Sequence, residues 1–164
     1  MRLLIIASLV CLVFAAPASA QTADPQLLAP IHKFIDSFNK GDTAAAAATH
    51  AAAADLTIID EVPPYLWRGP KAFQEWGAAL ESDAKTQGVT EPKVTLGAPV
   101  RTEKSGDQAY VVIGAVYSFK QGGAAMREAA QMTFVLKKAG SGWLIHGWTW
   151  TGPKPKPAAA PAKK

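Results

Sequence analysis

Residues 108–151 read QAYVVIGAVYSFKQGGAAMREAAQMTFVLKKAGSGWLIHGWTWT. The stretch is rich in β-branched and aromatic residues, and it is punctuated by Gln121-Gly122-Gly123 and Gly140-Ser141-Gly142. Such a pattern predicts three long strands, 108–119, 124–137 and 143–151, joined by tight hairpin turns. Upstream, Val94, Leu96, Ala98 and Val100 alternate along a first long strand that ends at the turn Ser105-Gly106-Asp107. Four consecutive antiparallel strands make a meander, and a sheet of strands this long must twist strongly. On the last strand His146, Trp148 and Trp150 fall on one face, opposite Ile145, Gly147 and Thr149. Two tryptophans on one face form either a ligand wall or a core or dimer contact.

Before residue 90 the period is helical. Asp24-Pro25 reads as an N-cap and first helical residue. Leu27, Ile31, Phe34, Ile35 and Phe38 follow at helical spacing, with Pro30 either kinking the helix or marking its start. Asn39-Lys40-Gly41 is a C-cap signal, and Asp42 caps a second helix through the alanines from Ala44 to Ala53. Asp55 to Asp60 reads as a short strand. Two prolines make 61–69 a loop, and Pro70 opens a third helix bearing Phe73, Trp76, Leu80 and Ala84 on one face. The class is therefore α+β, with three N-terminal helices packed on a strongly curved antiparallel sheet.

The ends carry a different message. Met1-Arg2, the apolar run Leu3 to Ala16 and the small residues Ala18-Ser19-Ala20 make residues 1–20 a signal peptide, with cleavage before Gln21 and a periplasmic or secreted destination. The apolar run is short of the roughly 20 residues a spanning helix needs, so no transmembrane segment is expected. Cys11 is the one cysteine, and Val10 before it is not the small residue that lipid attachment requires. Removing the leader thus removes disulfides, thiolate catalysis and cysteine metal sites from consideration. Residues 21–152 form one domain of ordinary size. Residues 153–164 are proline, lysine and alanine, a tail with little to bury, expected to be disordered and open to weak contact with anionic envelope material. Without Arg2 and the four tail lysines, the body has twelve basic against thirteen acidic residues. No basic cluster suggests nucleic acid. His32, His50 and His146 lack paired metal-ligand spacing, so neither a metal nor a cofactor is called for.

The element order resembles the nuclear transport factor 2-like superfamily, which includes ketosteroid isomerases and SnoaL-like cyclases. The local wording is similar at Phe34 to Asp42, at Thr57-Ile58-Ile59-Asp60, at Trp67-Arg68-Gly69 and at Gly142-Trp143-Leu144-Ile145-His146. The resemblance covers about residues 25–151 and implies a cone-shaped fold with an apolar pocket at its open end. It places Asp60 where the isomerases carry their general base, a position where desolvation raises a carboxyl pKa. The isomerases also use a tyrosine and a protonated acid as oxyanion donors. Those positions fall here on Phe34 and near Met132, with Gln131 beside it, and neither Phe34 nor Met132 can donate. Losing one such donor costs about 3 kcal/mol of transition-state stabilisation, which argues against steroid isomerisation.

The resulting expectation is an exported domain that binds a small, largely apolar molecule through Phe34, Phe38, Trp67, Met132, Phe134 and Trp148, as a homodimer formed through its sheet. One alternative is a lyase, cyclase or isomerase with Asp60 as general base. Another is a structural dimerisation module without a ligand, and fold alone does not choose among them. Trp67 either lines the pocket entrance or plugs the base of the cone. Arg127 and Glu128 are strand neighbours and face opposite ways, so one of them can enter the pocket.

Overall fold

The computed structural model of the protein describes residues 24–158; the leader read at 1–20 and the end of the tail, 159–164, lie outside them. Asp24 caps the first helix, α1 (Pro25–Lys40), its Oδ1 accepting the Gln26 N–H at 2.9 Å. Pro30 neither starts nor stops α1. A mid-helix proline costs a free helix about 3 kcal/mol, and burial of Leu27, Ile31, Phe34 and Ile35 along one face outweighs that loss. Gly41 closes α1 in the left-handed conformation (φ 70°) that a side chain would resist.

Asp42 caps α2, accepting the Ala45 N–H at 2.9 Å, but α2 spans only Thr43–Ala47 and not the alanine run to Ala53. The sheet draws the chain out of the helix. The Ile145 N–H donates to Thr49 O and the Ala51 N–H to Ile145 O, each at 2.9 Å, so His50 bridges to the sheet edge. Alanine's helix propensity, a few tenths of a kcal/mol per residue, yields to that pairing. The His50 ring is buried, with Nδ1 donating to Ala46 O and Nε2 accepting from the Trp148 indole, both at 3.1 Å.

Three short or intermediate elements follow: β1 (Thr57–Ile59), β2 (Leu66–Arg68) and α3 (Ala72–Gln87). The segment expected to be a pure loop thus contains β2, which pairs antiparallel with β1 and sets Trp67 opposite Ile58. Only α1 and α2 precede the first strand; α3 follows β2. Then come β3 (Val89–Ser105), β4 (Gln108–Gln121), β5 (Ala124–Ala139) and β6 (Gly142–Thr151) as the antiparallel meander. The sheet runs β2-β1-β6-β5-β4-β3, with β1 parallel to β6. Helix α1 lies against β3 and β6, and α3 against β1, β2 and β3.

Bulges on β3 and β6 break the simple alternation and bend the sheet. On β3 the register shifts around Pro99, so Val94 is buried, whereas Ala98 and Val100 face solvent. Pro99 offers no N–H, which suits an edge strand with one neighbour. On β6 the register jumps between Leu136↔Ile145 and Val135↔Gly147, leaving His146 as the extra residue. Ile145 and Trp148 consequently both point inward, while His146 turns outward to within 3.5 Å of Asp55. The expected shared face of His146 with Trp148 and Trp150 is lost for that reason.

The first part of the expected free tail also differs. Beyond Gly152 the chain rejoins β5 as β7 (Lys156–Pro157), pairing with Met126 and Arg127, and the Ala158 N–H donates to Ala125 O at 2.9 Å. Strand β6 stops opposite Gln131, which leaves that edge of β5 free to pair.

Two predictions test this account. Asn39 clasps β3 with both ends of its amide: Nδ2 donates to Val94 O and Oδ1 accepts the Val94 N–H, each at 2.8 Å. Asn39→Ala strands both backbone groups and should cost about 1–3 kcal/mol in urea unfolding. The second concerns His50, whose ring burial holds at about 4 against an ordinary 6.5. Between those values the unfolded chain binds a proton that the folded chain refuses. Acidification through that window should therefore remove about 3 kcal/mol of stability. Relative to the wild type, His50→Gln should regain that amount between pH 7 and pH 4; parallel stability curves would contradict the assignment.

Candidate functional site

Helices α1 and α3 and the inner face of the sheet enclose a cavity of about 700 Å³. Phe34 and Phe38 reach it from α1, Trp76 and Leu80 from α3, and Tyr117 and Phe119 from β4. Met126 and Met132 on β5 and Trp148 and Trp150 on β6 complete the apolar wall. The tryptophans are fixed at both ends. The rings of Trp76 and Trp148 meet edge-on at 5.0 Å, and each indole N–H is used outside that contact, Trp76 on Asp60 and Trp148 on His50.

Of the residues singled out in the sequence, Asp60, Phe34, Phe38, Met132 and Trp148 lie in this wall. Trp67 and Phe134 do not. Trp67 is buried in the hydrophobic core beside Ile58, and Phe134 has no exposed surface. Both are thus core residues and not part of the cavity lining. Trp148 is only 3 % exposed and faces inward, which removes it from any subunit contact. Gln131 lies exposed on the other face of β5.

The cavity is far more acidic than a single Asp60 suggests. Asp60 directly follows β1, with Oδ2 accepting from the Trp76 indole and Oδ1 accepting the Glu61 N–H at 2.7 Å. Burial nevertheless raises its pKa above the ordinary carboxyl value, against the pull of both hydrogen bonds. Glu61 and Asp83 also line the cavity. Glu128 sits on β5 in alternation with Met126 and Met132, hence on the same face, and is 1 % exposed. Its Oε1 accepts from the Trp150 indole at 2.8 Å, and its Oε2 has no hydrogen-bond partner among the described residues.

Glu61 meets Glu128. Although Glu61 is exposed as a residue, its carboxyl lies in the cavity wall, where desolvation, then the neighbouring Glu128 carboxyl, then Asp60 and Asp83 push it up to about 8. Holding a proton on Glu61 at neutral pH spares the two close carboxyls a double charge. Tyr117, opposite Glu128 on β4, is pushed up to about 12 by burial and then by the same carboxyls, so its phenol stays a donor. Gly152 crosses directly over this pair, where an added Cβ would collide with the Glu128 carboxyl and Ala130.

Counting back by twos from Met132 would have placed Glu128 inward. Nothing in the sequence brings Glu61 to it, since that meeting depends on the turn after β1. Among the described residues no group of His, Cys, Asp and Glu has the geometry of a metal site.

Residues 27–148 match the family model of the SnoaL-like domain. No curated protein sequence matches at a significant level. Among solved structures the fold is similar to a nuclear transport factor 2-like superfamily protein from Salmonella enterica serovar Typhimurium, with 14 % identity, 85 % of this chain and 96 % of that one covered, and a TM-score of 0.65. It is also similar to a ketosteroid isomerase-like protein from Erwinia carotovora atroseptica (19 % identity, 84 % and 99 % covered, TM-score 0.60). A type 2 hexachlorocyclohexane dehydrochlorinase is a third (16 % identity, 85 % and 99 % covered, TM-score 0.64). At such identities the likeness speaks for fold alone. With the family model spanning most of the sequence and the same α+β architecture in the solved structures, the chain belongs to the SnoaL-like domain family.

Proposed function

We propose that this chain is an exported, cone-shaped domain that holds a small, largely apolar molecule in the cavity between its helices and its sheet. The observation that carries this reading is the cavity itself. Its volume of about 700 Å³ lies within the few hundred to about 1,000 Å³ typical of small-molecule sites. Phe34, Phe38, Trp76, Met132 and Trp148 give it an apolar wall. Similar folds carrying the names ketosteroid isomerase-like protein and hexachlorocyclohexane dehydrochlorinase support a ligand of that size and character. Export rests on the leader pattern at 1–20.

Native mass spectrometry of the protein expressed with its leader, compared with the same sample denatured, tests these points together. The expected result is a subunit beginning at Gln21 with a small-molecule mass that is lost on denaturation. Met132→Trp, which fills the cavity, should remove the bound mass. An empty protein that also shows no tryptophan quenching with a panel of apolar ligands would overturn the reading and favour a structural module.

A second reading has Asp60 abstract a proton from carbon next to a carbonyl, in a lyase, cyclase or isomerase reaction. It is favoured by a cavity carboxyl whose pKa burial raises towards neutrality while Trp76 fixes its direction. Asp60→Asn keeps the size of the side chain and one of its two acceptor oxygens, and removes the carboxylate that would take the proton. It should lower turnover of any substrate by about 100-fold or more with the circular dichroism spectrum unchanged; an unaltered rate would end this reading.

A further inference from the structure

Among the described residues, neither the cavity carboxyls Asp60, Glu61 and Asp83 nor Glu128 behind them takes part in an ion pair. The one basic residue lining the cavity is Lys154, from the segment after β6, and it too is in no ion pair there. A buried carboxylate oxygen without a donor costs several kcal/mol unless something outside the protein supplies the missing partner. Glu128 Oε2 is such an atom, on the cavity side of β5, with Glu61 at the cavity wall as its one neighbouring acid.

The walls beside these acids are aromatic. Tyr117 stacks on Phe119 at 4.7 Å and meets Trp150 edge-on at 6.3 Å, and Trp150 in turn holds Glu128. Electron-rich ring faces next to carboxylates attract a cation more strongly than a neutral hydrocarbon of the same shape.

We propose that the cavity takes an organic cation, an amine or quaternary ammonium on an apolar body, its charge held by Asp60 and Glu61 in the wall with Glu128 buried behind them, and its body by the aromatic wall. The proposal rests on the cavity reading above and names the ligand class. In chemical terms, the cation favours the ionised form of Glu61, whose proton goes to solvent, and the ligand's positive charge then lies between that carboxylate and the rings. The groups that face Glu61 are Asp60 beside it, Asp83 on α3, Tyr117 on β4, Glu128 on β5 and Lys154 after β6. All but Lys154 favour a bound cation, and Lys154 competes with it. Since Glu61 loses its proton near pH 8, affinity for a permanent cation should rise from pH 6 to pH 8.

The test compares benzyltrimethylammonium with its uncharged isostere neopentylbenzene, using the emission of the cavity tryptophans as readout. The full chain should bind the cation about ten-fold more tightly, equivalent to about 1.4 kcal/mol, and with the pH dependence just given. Glu61→Gln should weaken the cation preference several-fold and abolish its pH dependence, with neopentylbenzene binding as the control for an intact cavity. Lys154→Ala should tighten the cation. If neopentylbenzene binds as well as the cation, the charge inference falls and the apolar cavity stands. If neither probe binds, both fall.

Discussion

One aromatic ring, that of Phe34, touches four others drawn from three different parts of the fold. Its centroid lies 4.8 Å from His50 after α2, 5.9 Å and 6.2 Å from Phe73 and Trp76 on α3, and 5.7 Å from Trp148 on β6. Aromatic pairs at these distances have preferred angles, so the cluster fixes orientation as well as separation. Helix α1, the short α2 turn, α3 and the last long strand are thereby held to one another through a single side chain. The core and the cavity share this wall. Phe34, Trp76 and Trp148 each belong to the buried cluster on one side and to the cavity wall on the other.

That arrangement explains how acidic groups persist beside an apolar interior. An unpaired carboxylate at such a site would be expelled or neutralised. Here each buried acid is met by an indole: Asp60 by Trp76 and Glu128 by Trp150. Tryptophan suits this place because its ring fills apolar space and its single N–H donates without adding charge. The remaining electrostatic imbalance is eased at Glu61, whose pKa burial and the neighbouring Glu128 raise. The core and the chemistry of the cavity wall are therefore set by the same few contacts.

Much of this fold was legible in the sequence, and the illegible parts share one cause. The meander, α1 with its caps and the glycine turns follow from local periodicity and turn chemistry. Elements whose form depends on a distant partner did not. Helix α2 stops at Ala47 because Ile145 takes its backbone, and β2 exists because β1 needs an antiparallel neighbour. The bulges around Pro99 and at His146 invert the facing that strict alternation dictates. At the site, Asp60 stood out because of its place at the end of a short strand. Glu61 and Glu128 are separated by more than sixty residues and joined only by the curvature of the sheet. Trp67 and Phe134 read as cavity residues because an inward aromatic on a strand looks the same whether it meets a void or a neighbour.

The passage from Gly152 to Ala158 shows that compositional and structural boundaries differ here. A stretch of proline and lysine looks dispensable, yet Gly152, Lys154 and Pro155 form part of the cavity wall and Lys156–Pro157 complete the edge of β5. A shortened version ending where the composition changes would keep every long strand and helix. It would also uncover Glu128 to water, hydrating the acid whose isolation gives the interior its chemical character. For anyone designing a fusion or trimming the gene, the last functional residue lies inside the low-complexity segment and not before it.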